Sequence, residues 1–294
     1  GHIFCPSGNY IWMNSYAQIP TPVELDNVIR IFFATRSPKE PSGDYISYIG
    51  FIDVNKSNPL EILLVSDVPA MSCGAINSFD QYGVHPNDLK FIDNKLRLLY
   101  TGWSRPKNFP YQTCIGEAYS DDDMKSFSRY SLDPIMGNTY DENKIFNGPC
   151  TVELNGMEYM FLSSGMHGFE SNGKKESHYM INKATKLINS TTWNFCPNYI
   201  IPKILPFECQ NSPTVFFEKG LWHMIFCYRH TFGFRNSVRG YKLGYAYSYD
   251  LIDWQRDESR FIYNKQEAWD NEMQCYPSYL SIGNKKYLFY CGNN

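Results

Sequence analysis

One pattern recurs five times along this chain and limits the folds open to it. Five short apolar runs, IFFAT (31–35), LLYTG (98–102), FLSSG (161–165), IFCYR (225–229) and LFYCG (288–292), begin 67, 63, 64 and 63 residues apart. A proline precedes each by 11 or 12 residues: Pro20, Pro86, Pro149, Pro213 and Pro277. Between proline and run lies a strand-like stretch closed by a tight-turn pair, as in LKFIDNK, VELNGM and VFFEKG. Asp-Asn, Asn-Gly and Lys-Gly pairs suit two-residue hairpins, so each copy reads strand, turn, strand. Self-similarity at such a period marks a repeat architecture.

A third strand follows in at least three copies: IGEAYSDDDMKSF (115–127), YMINKATKLINSTTW (179–193) and LGYAYSYDLIDW (243–254). YIGFIDVNKSNPLEIL (48–63) is a weaker first version. The alternation has period two and no segment keeps a helical period, so helices should be few. Five four-stranded units predict an all-β fold, a five-bladed β-propeller with a central funnel. One domain would span 1–294, with blades starting near 20, 86, 149, 213 and 277. The fifth blade is expected to lack its later strands, and residues 1–12 to add one strand that closes the ring.

Composition enters where partners are concerned. The net charge of −3, with no long basic run, argues against a nucleic-acid partner. No apolar stretch reaches the roughly 20 residues that span a bilayer, so no membrane partner is expected. GHIFCPSGNY lacks the basic start and apolar core of a secretory signal, which points to the cytoplasm. The 23 Tyr, 20 Phe and 6 Trp suit both strand packing and stacking on sugar rings. Nine scattered cysteines without a CxxC pair are expected to be reduced, mostly buried thiols. No nucleotide fingerprint, nucleophile elbow or HxH pair occurs, so neither cofactor nor metal is expected.

In a propeller, the loop leading into each innermost strand and the loop joining its second and third strands rim one face. On that rule the first blade offers Gln18, and the second offers Asp80 and His85. The third offers Glu142 and Asn147, the fourth Glu208 and Asn211, and the fifth Asp270, Glu272 and Tyr276. The other loops add Trp103 and Arg105, then Arg229 and Arg235. Polar loops and long basic side chains are also what an ordinary surface carries. Converging on one funnel, however, carboxylates supply the acid and the base or nucleophile of glycosidic-bond cleavage. The arginines would clamp an anionic group or hold a carboxylate ionised.

The strands RIFFATR, LLYTGW, IGEAYSDD, GYAYSYDLIDW and YLFYCGN resemble those of the five-bladed propeller glycosidases, the superfamily of glycoside hydrolase families 32, 43, 62, 68 and 130. The resemblance covers essentially the whole chain and is nearest to glycosidase-like members without an assigned reaction. Phe207-Glu208-Cys209 is similar to the Glu-Cys element that carries the general acid in family 32. The same resemblance implies that Asp80 orients substrate or tunes that acid, with Asp270 or Glu272 a further catalytic carboxylate. The first blade departs from the pattern: Asn14, Ser15 and Gln18 stand where the family places an aspartate. Three readings therefore remain. One is a hydrolase of a small or terminal glycan, one a non-catalytic glycan-binding propeller, and one a transferase or phosphorylase of surface-polysaccharide metabolism acting on an anionic substrate.

Overall fold

The computed structural model describes residues 1–121, 123–137, 143–171, 173–235, 238–261 and 267–292. Eighteen strands make up this part of the chain, and one 3-10 turn, Glu258–Arg260, is its helical content among the described residues. The first unit holds β1 (Ser15–Glu24), β2 (Val28–Arg36), β3 (Ser47–Asn55) and β4 (Ile62–Val65). The second holds β5 (Gly83–Ile92), β6 (Lys95–Ser104), β7 (Gln112–Ser120) and β8 (Phe127–Arg129). The third holds β9 (Ile145–Leu154), β10 (Met157–Ser171), β11 (Lys174–Leu187) and β12 (Asn194–Cys196). The fourth holds β13 (Glu208–Glu218), β14 (Leu221–His230), β15 (Lys242–Ser248) and β16 (Trp254–Arg256). A two-stranded unit, β17 (Cys275–Ile282) and β18 (Lys285–Cys291), follows.

Each unit is an antiparallel meander whose strands pair in chain order. Three of the first hairpins turn on two residues that both have positive φ: Asp93-Asn94, Asn155-Gly156 and Lys219-Gly220. That is the turn whose twist matches paired strands, as the sequence pairs predicted. The recurring proline has a second explanation. Each innermost strand breaks register beside it, between Gln18 and Thr21, Pro86 and Asp88, Asn147 and Cys150, Asn211 and Thr214, and Cys275 and Ser278. In four units the residue before the proline is left-handed: Ile19, Gly148, Ser212 and Tyr276, with φ of 58°, 60°, 50° and 55°. In these four units the break leaves the proline itself out of the ladder, so a residue with no N–H fits there at no loss of a hydrogen bond, whereas Pro86 sits opposite Tyr100 with the break just after it.

The apolar runs are continuous because the second strand of each four-stranded unit is buried on both faces. In β2, Phe32 packs toward the second unit with Val84, Leu98 and Tyr100, while Ile29, Ile31 and Phe33 pack toward Leu280 and Phe289 of the fifth. In β6, Leu98 and Tyr100 face the first unit, and Leu99 faces Met160 and Leu162 of the third. Phe161 then meets Met224, Phe226 and Trp254 of the fourth unit. Ile225 and Cys227 face Leu288 and Cys275 of the fifth. The innermost strands also touch in cyclic order, β1 to β5, β5 to β9, β9 to β13, β13 to β17 and β17 back to β1. No closed ladder accompanies this order among the described residues. Parallel bridges join β3 to β5 and β7 to β9, and the fourth and fifth units form separate sheets.

Residues 1–14 form no strand, which corrects the expectation that 1–12 would add one. Pro6 removes a ladder donor and Gly8 turns the backbone at φ 78°. Ile3, Phe4 and Trp12 instead lie on the apolar cluster shared by the first and fifth units. All nine cysteines are free thiols, five of them buried.

Two arginines at matching positions pin the seams. Arg30 of β2 makes a bidentate pair with Asp53 at 2.7 and 2.8 Å and donates to the Met124 carbonyl of the next unit at 2.8 Å. Arg97 of β6 crosses to Glu158 of the third unit and to Thr151 Oγ1 at 3.0 Å. Burial by itself would raise the Glu158 carboxyl, but Arg97 and Lys186 hold it below the usual range. Arg97→Ala should therefore lower unfolding free energy by about 3–5 kcal/mol, the cost of leaving a buried partner charge unpaired. Lys56→Ala, which loses a partly exposed pair with Glu24 at 2.9 Å, should change it by no more than about 1 kcal/mol. Urea unfolding of the two variants measures the contrast.

Candidate functional site

A cavity of about 930 Å³ lies between the first and fifth units. It is bounded by the starts of β1 and β17, by β18, and by N-terminal residues 1–6. Loops of the first and fourth units complete it with Lys39, Tyr45, Phe234, Arg235 and Tyr241. The left-handed residues at the strand starts aim side chains into this space: Tyr16 (φ 65°) and Tyr276 both line it. Trp269 and Tyr290 stack at 5.3 Å on its far wall. No Asp or Glu stands among the described lining residues, whereas Lys39 and Arg235 do.

Of the residues singled out from sequence, Gln18, Arg235 and Tyr276 line this cavity. Asp270 stands one hydrogen bond behind it, accepting from the Tyr290 hydroxyl at 2.7 Å. Glu272 is exposed on the loop beside Met273, a lining residue. Glu142 lies outside the described residues.

The structure puts Glu208 and Asp80 elsewhere. Glu208 is 0% exposed, and its Oε1 accepts from Arg256 at 2.6 Å and Gln210 at 2.7 Å. Its Oε2 accepts from the backbone N–H groups of Ile204 and Leu205 at 3.0 and 3.1 Å. Four donors occupy the four acceptor positions of a carboxylate, leaving none turned toward a ligand. Asp80 is 1% exposed and accepts from Arg129 at 2.7 Å, Tyr100 at 3.1 Å and Ser78 at 2.7 Å. Arg129 and Arg256 are the missed partners. Each ends an aromatic-x-Arg triplet on the last strand of its unit, Phe127-Ser-Arg and Trp254-Gln-Arg, at the same offset as Pro86 and Pro213. That repeat was visible in the sequence; which acid each arginine would meet was not.

The remaining candidates divide between framework and interior. Arg105 donates to Glu40 at 2.6 Å and to the Tyr45 carbonyl at 2.7 Å, tying the first two units together beside Trp103. Asn211 accepts from Ser163 at 2.9 Å, and Asn147 sits opposite Ser163 in the neighbouring ladder. Arg229 is 3% exposed in a cage of Tyr179, Phe234 and Tyr241. Beside it runs a network that sequence reasoning missed. Tyr111 meets Ser177 at 2.7 Å, Ser177 meets His167 Nδ1 at 2.9 Å, and His167 Nε2 meets the Tyr111 carbonyl at 2.7 Å. A carbonyl only accepts, so Nε2 carries the proton and Nδ1 accepts from Ser177.

Burial pushes the His85 imidazole down to about 3, with the Arg36 charge adding to the effect. His167 and His178 are lowered for the same first reason. The unfolded chain takes protons on these rings near pH 6.5 while the folded chain keeps them neutral. Their stabilising contribution is thus present above about pH 6.5 and shrinks as pH falls toward the lowered values. The urea midpoint should decline on acidification from about pH 7.5 to 5.5, above the main carboxylate range, and His85→Gln should flatten that decline.

No protein-family model matches the chain. An uncharacterized protein of Mycobacterium tuberculosis, present in strains CDC 1551 and H37Rv, is 27% identical over 303 aligned positions, covering all of this chain and 93% of the relative. Among solved structures, a glycoside hydrolase superposes with a TM-score of 0.74 at 12% identity, over 99% of this chain and 86% of its own. A glycosyl hydrolase from Bacteroides ovatus gives 0.71 at 13% identity, over 99% and 88%. An exo-1,5-alpha-L-arabinanase from a bovine ruminal metagenomic library gives 0.64 at 10%, over 97% and 90%. At these identities the likeness is one of fold, shared with solved glycoside hydrolases.

Proposed function

We propose that the five units are the blades of a propeller, and that the cavity at the starts of β1 and β17 is the glycan site of a carbohydrate-active enzyme of glycosidase type. The cyclic order of inner-strand contacts supports the blade count. The observation that carries the functional reading is a cavity of about 930 Å³, walled by Tyr16, Tyr45, Trp269 and Tyr276, at the inner-strand starts of a glycosidase fold. Aromatic faces pack on the apolar faces of sugar rings, and their polar rims hydrogen-bond the hydroxyls.

In this reading the carboxylates nearest the substrate belong to the fifth blade. Asp270 acts through Tyr290, whose hydroxyl it accepts, or directly after a small shift of that ring. Glu272 stands on the same loop. Glu208 and Asp80 hold the framework through Arg256 and Arg129. A non-catalytic glycan-binding protein is the second reading, favoured by the lack of any carboxylate among the described lining residues.

A panel of chromogenic aryl glycosides separates the two. The enzyme reading expects release by the wild type and a loss of about 100-fold or more in Asp270→Asn, the scale of one acid–base group, with the melting temperature kept. Glu208→Gln should mainly lower stability, because it breaks a buried ion pair. Sugar binding without release by any form would favour the second reading. Loss of turnover in a stably folded Glu208→Gln would return that residue to the chemistry.

A further inference from the structure

Among the described residues cations but no carboxylate line the cavity, and Asp270, behind Tyr290, stands on its fifth-unit side. Lys39 lines the cavity, and Arg36 stacks over two of its lining rings, 4.7 Å from the centre of Tyr16 and 5.2 Å from that of Tyr45. Among the described residues neither cation has a carboxylate within ion-pair distance. The nearest acid in sequence, Glu40, is taken by Arg105 at 2.6 Å. Across the cavity Arg235 is offset by Glu176 at 2.9 Å, whereas among the described residues Arg229 behind it has no carboxylate within ion-pair distance. Among the described residues the Arg229 guanidinium donates to neutral groups, the His230 carbonyl at 2.7 Å, the Thr231 carbonyl at 3.5 Å and the hydroxyls of Tyr179 at 2.9 Å and of Tyr241, and its Nε is buried without a hydrogen bond. Burial keeps Tyr179 well above its ordinary range, so no phenolate supplies the missing charge.

A buried guanidinium without a counter-ion is costly, and proteins rarely keep one without a use. Here its influence reaches the cavity by a short route. Arg229 can only donate, and it donates to the Tyr179 oxygen. Tyr179 in turn meets the hydroxyl of Tyr241, a lining residue, at 2.6 Å. When the donation runs in this direction, the Tyr241 proton is left to point at a ligand, polarised by the cation behind it.

We propose that the ligand is an acidic glycan, whose carboxylate or phosphate group is drawn to the part of the cavity flanked by Arg36, Lys39 and Tyr241, with Arg229 as the charge behind Tyr241. This rests on the reading of the cavity as a glycan site. Arg36, Lys39 and Tyr241 are the specificity-determining residues, and Arg229 is a positioning residue. A neutral sugar would leave the cations uncompensated, whereas an anion gains charge-assisted hydrogen bonds.

The test is a glycan array carrying neutral, uronic-acid and phosphorylated sugars, followed by calorimetric titration of a bound acidic sugar and its neutral counterpart. The acidic sugar should bind about 10-fold or more tightly at low salt, the return of one charge-assisted bond. That advantage should shrink with added salt and disappear in Arg36→Gln and Lys39→Gln, whose partly exposed side chains can be replaced without opening the core. Arg229→Gln should also reduce it, and the first two variants keep the test decisive should this one fail to fold. Binding of uronic acids alone, or of phosphorylated sugars alone, identifies the anion. Equal binding of acidic and neutral sugars overturns the proposal and leaves the glycan site standing. Absence of every sugar from the array overturns both.

Discussion

The architecture depends on strands that are covered from two sides. β2, β6, β10 and β14 bury alternate residues against the preceding and the following unit, so each of these units completes the cores of two neighbours. At roughly 25 cal/mol per Å² of apolar surface, a unit removed from its neighbours would lose most of its stabilisation. Side chains, rather than a continuous ladder, carry this dependence around the molecule. The fourth and fifth units share no β-bridge with their neighbours among the described residues, yet Ile225, Cys227 and Leu288 join one to the other, and Phe289 joins the fifth to the first. Arg30 and Arg97 fix the lateral position of two seams in a way that greasy contacts, which slide, do not.

The same dependence sets the fate of the acids. In the second and fourth units the start of the first strand, with the loop before it, lies close to the last strand of the same unit. Where that last strand ends in an arginine, as at Arg129 and Arg256, the arginine takes the nearest carboxylate. Asp80 and Glu208 are thereby spent inside the scaffold, while the cavity keeps cations and aromatic rings. The bulges at the starts of β1 and β17 make the complementary contribution. The break at Pro277 turns Tyr276 toward the open space, and a second break in β1, between Ser15 and Gln18, does the same for Tyr16, where a regular strand would alternate side chains strictly between its two faces.

Much of this was legible in the linear text because it is local or periodic. Hairpin turns, period-two alternation and the proline before each apolar run are short-range properties, set by backbone preference and by the tolerance of each position for water. The departures are equally physical. Residues 1–12 were expected to add a strand to the incomplete fifth unit, but Ile3, Phe4 and Trp12 serve instead as a pad on the cluster of Phe33 and Phe289. Glu208 and Asp80 stood in the right segments for a rim, and their side chains were claimed by residues 48 and 49 positions away in the chain.

The amino-acid order by itself determined that this chain repeats one strand-turn-strand hairpin five times and where each hairpin turns. Those features follow from backbone preferences and from which residues tolerate water. Only the tertiary structure decided which charges neutralise one another and which are left facing the cavity. That outcome is fixed by distances of a few ångströms between side chains remote in sequence, as between Arg256 and Glu208 or Arg229 and Tyr179. Electrostatic pairing falls off over such distances and has no periodic signature along the chain, so it is settled only when the units have packed.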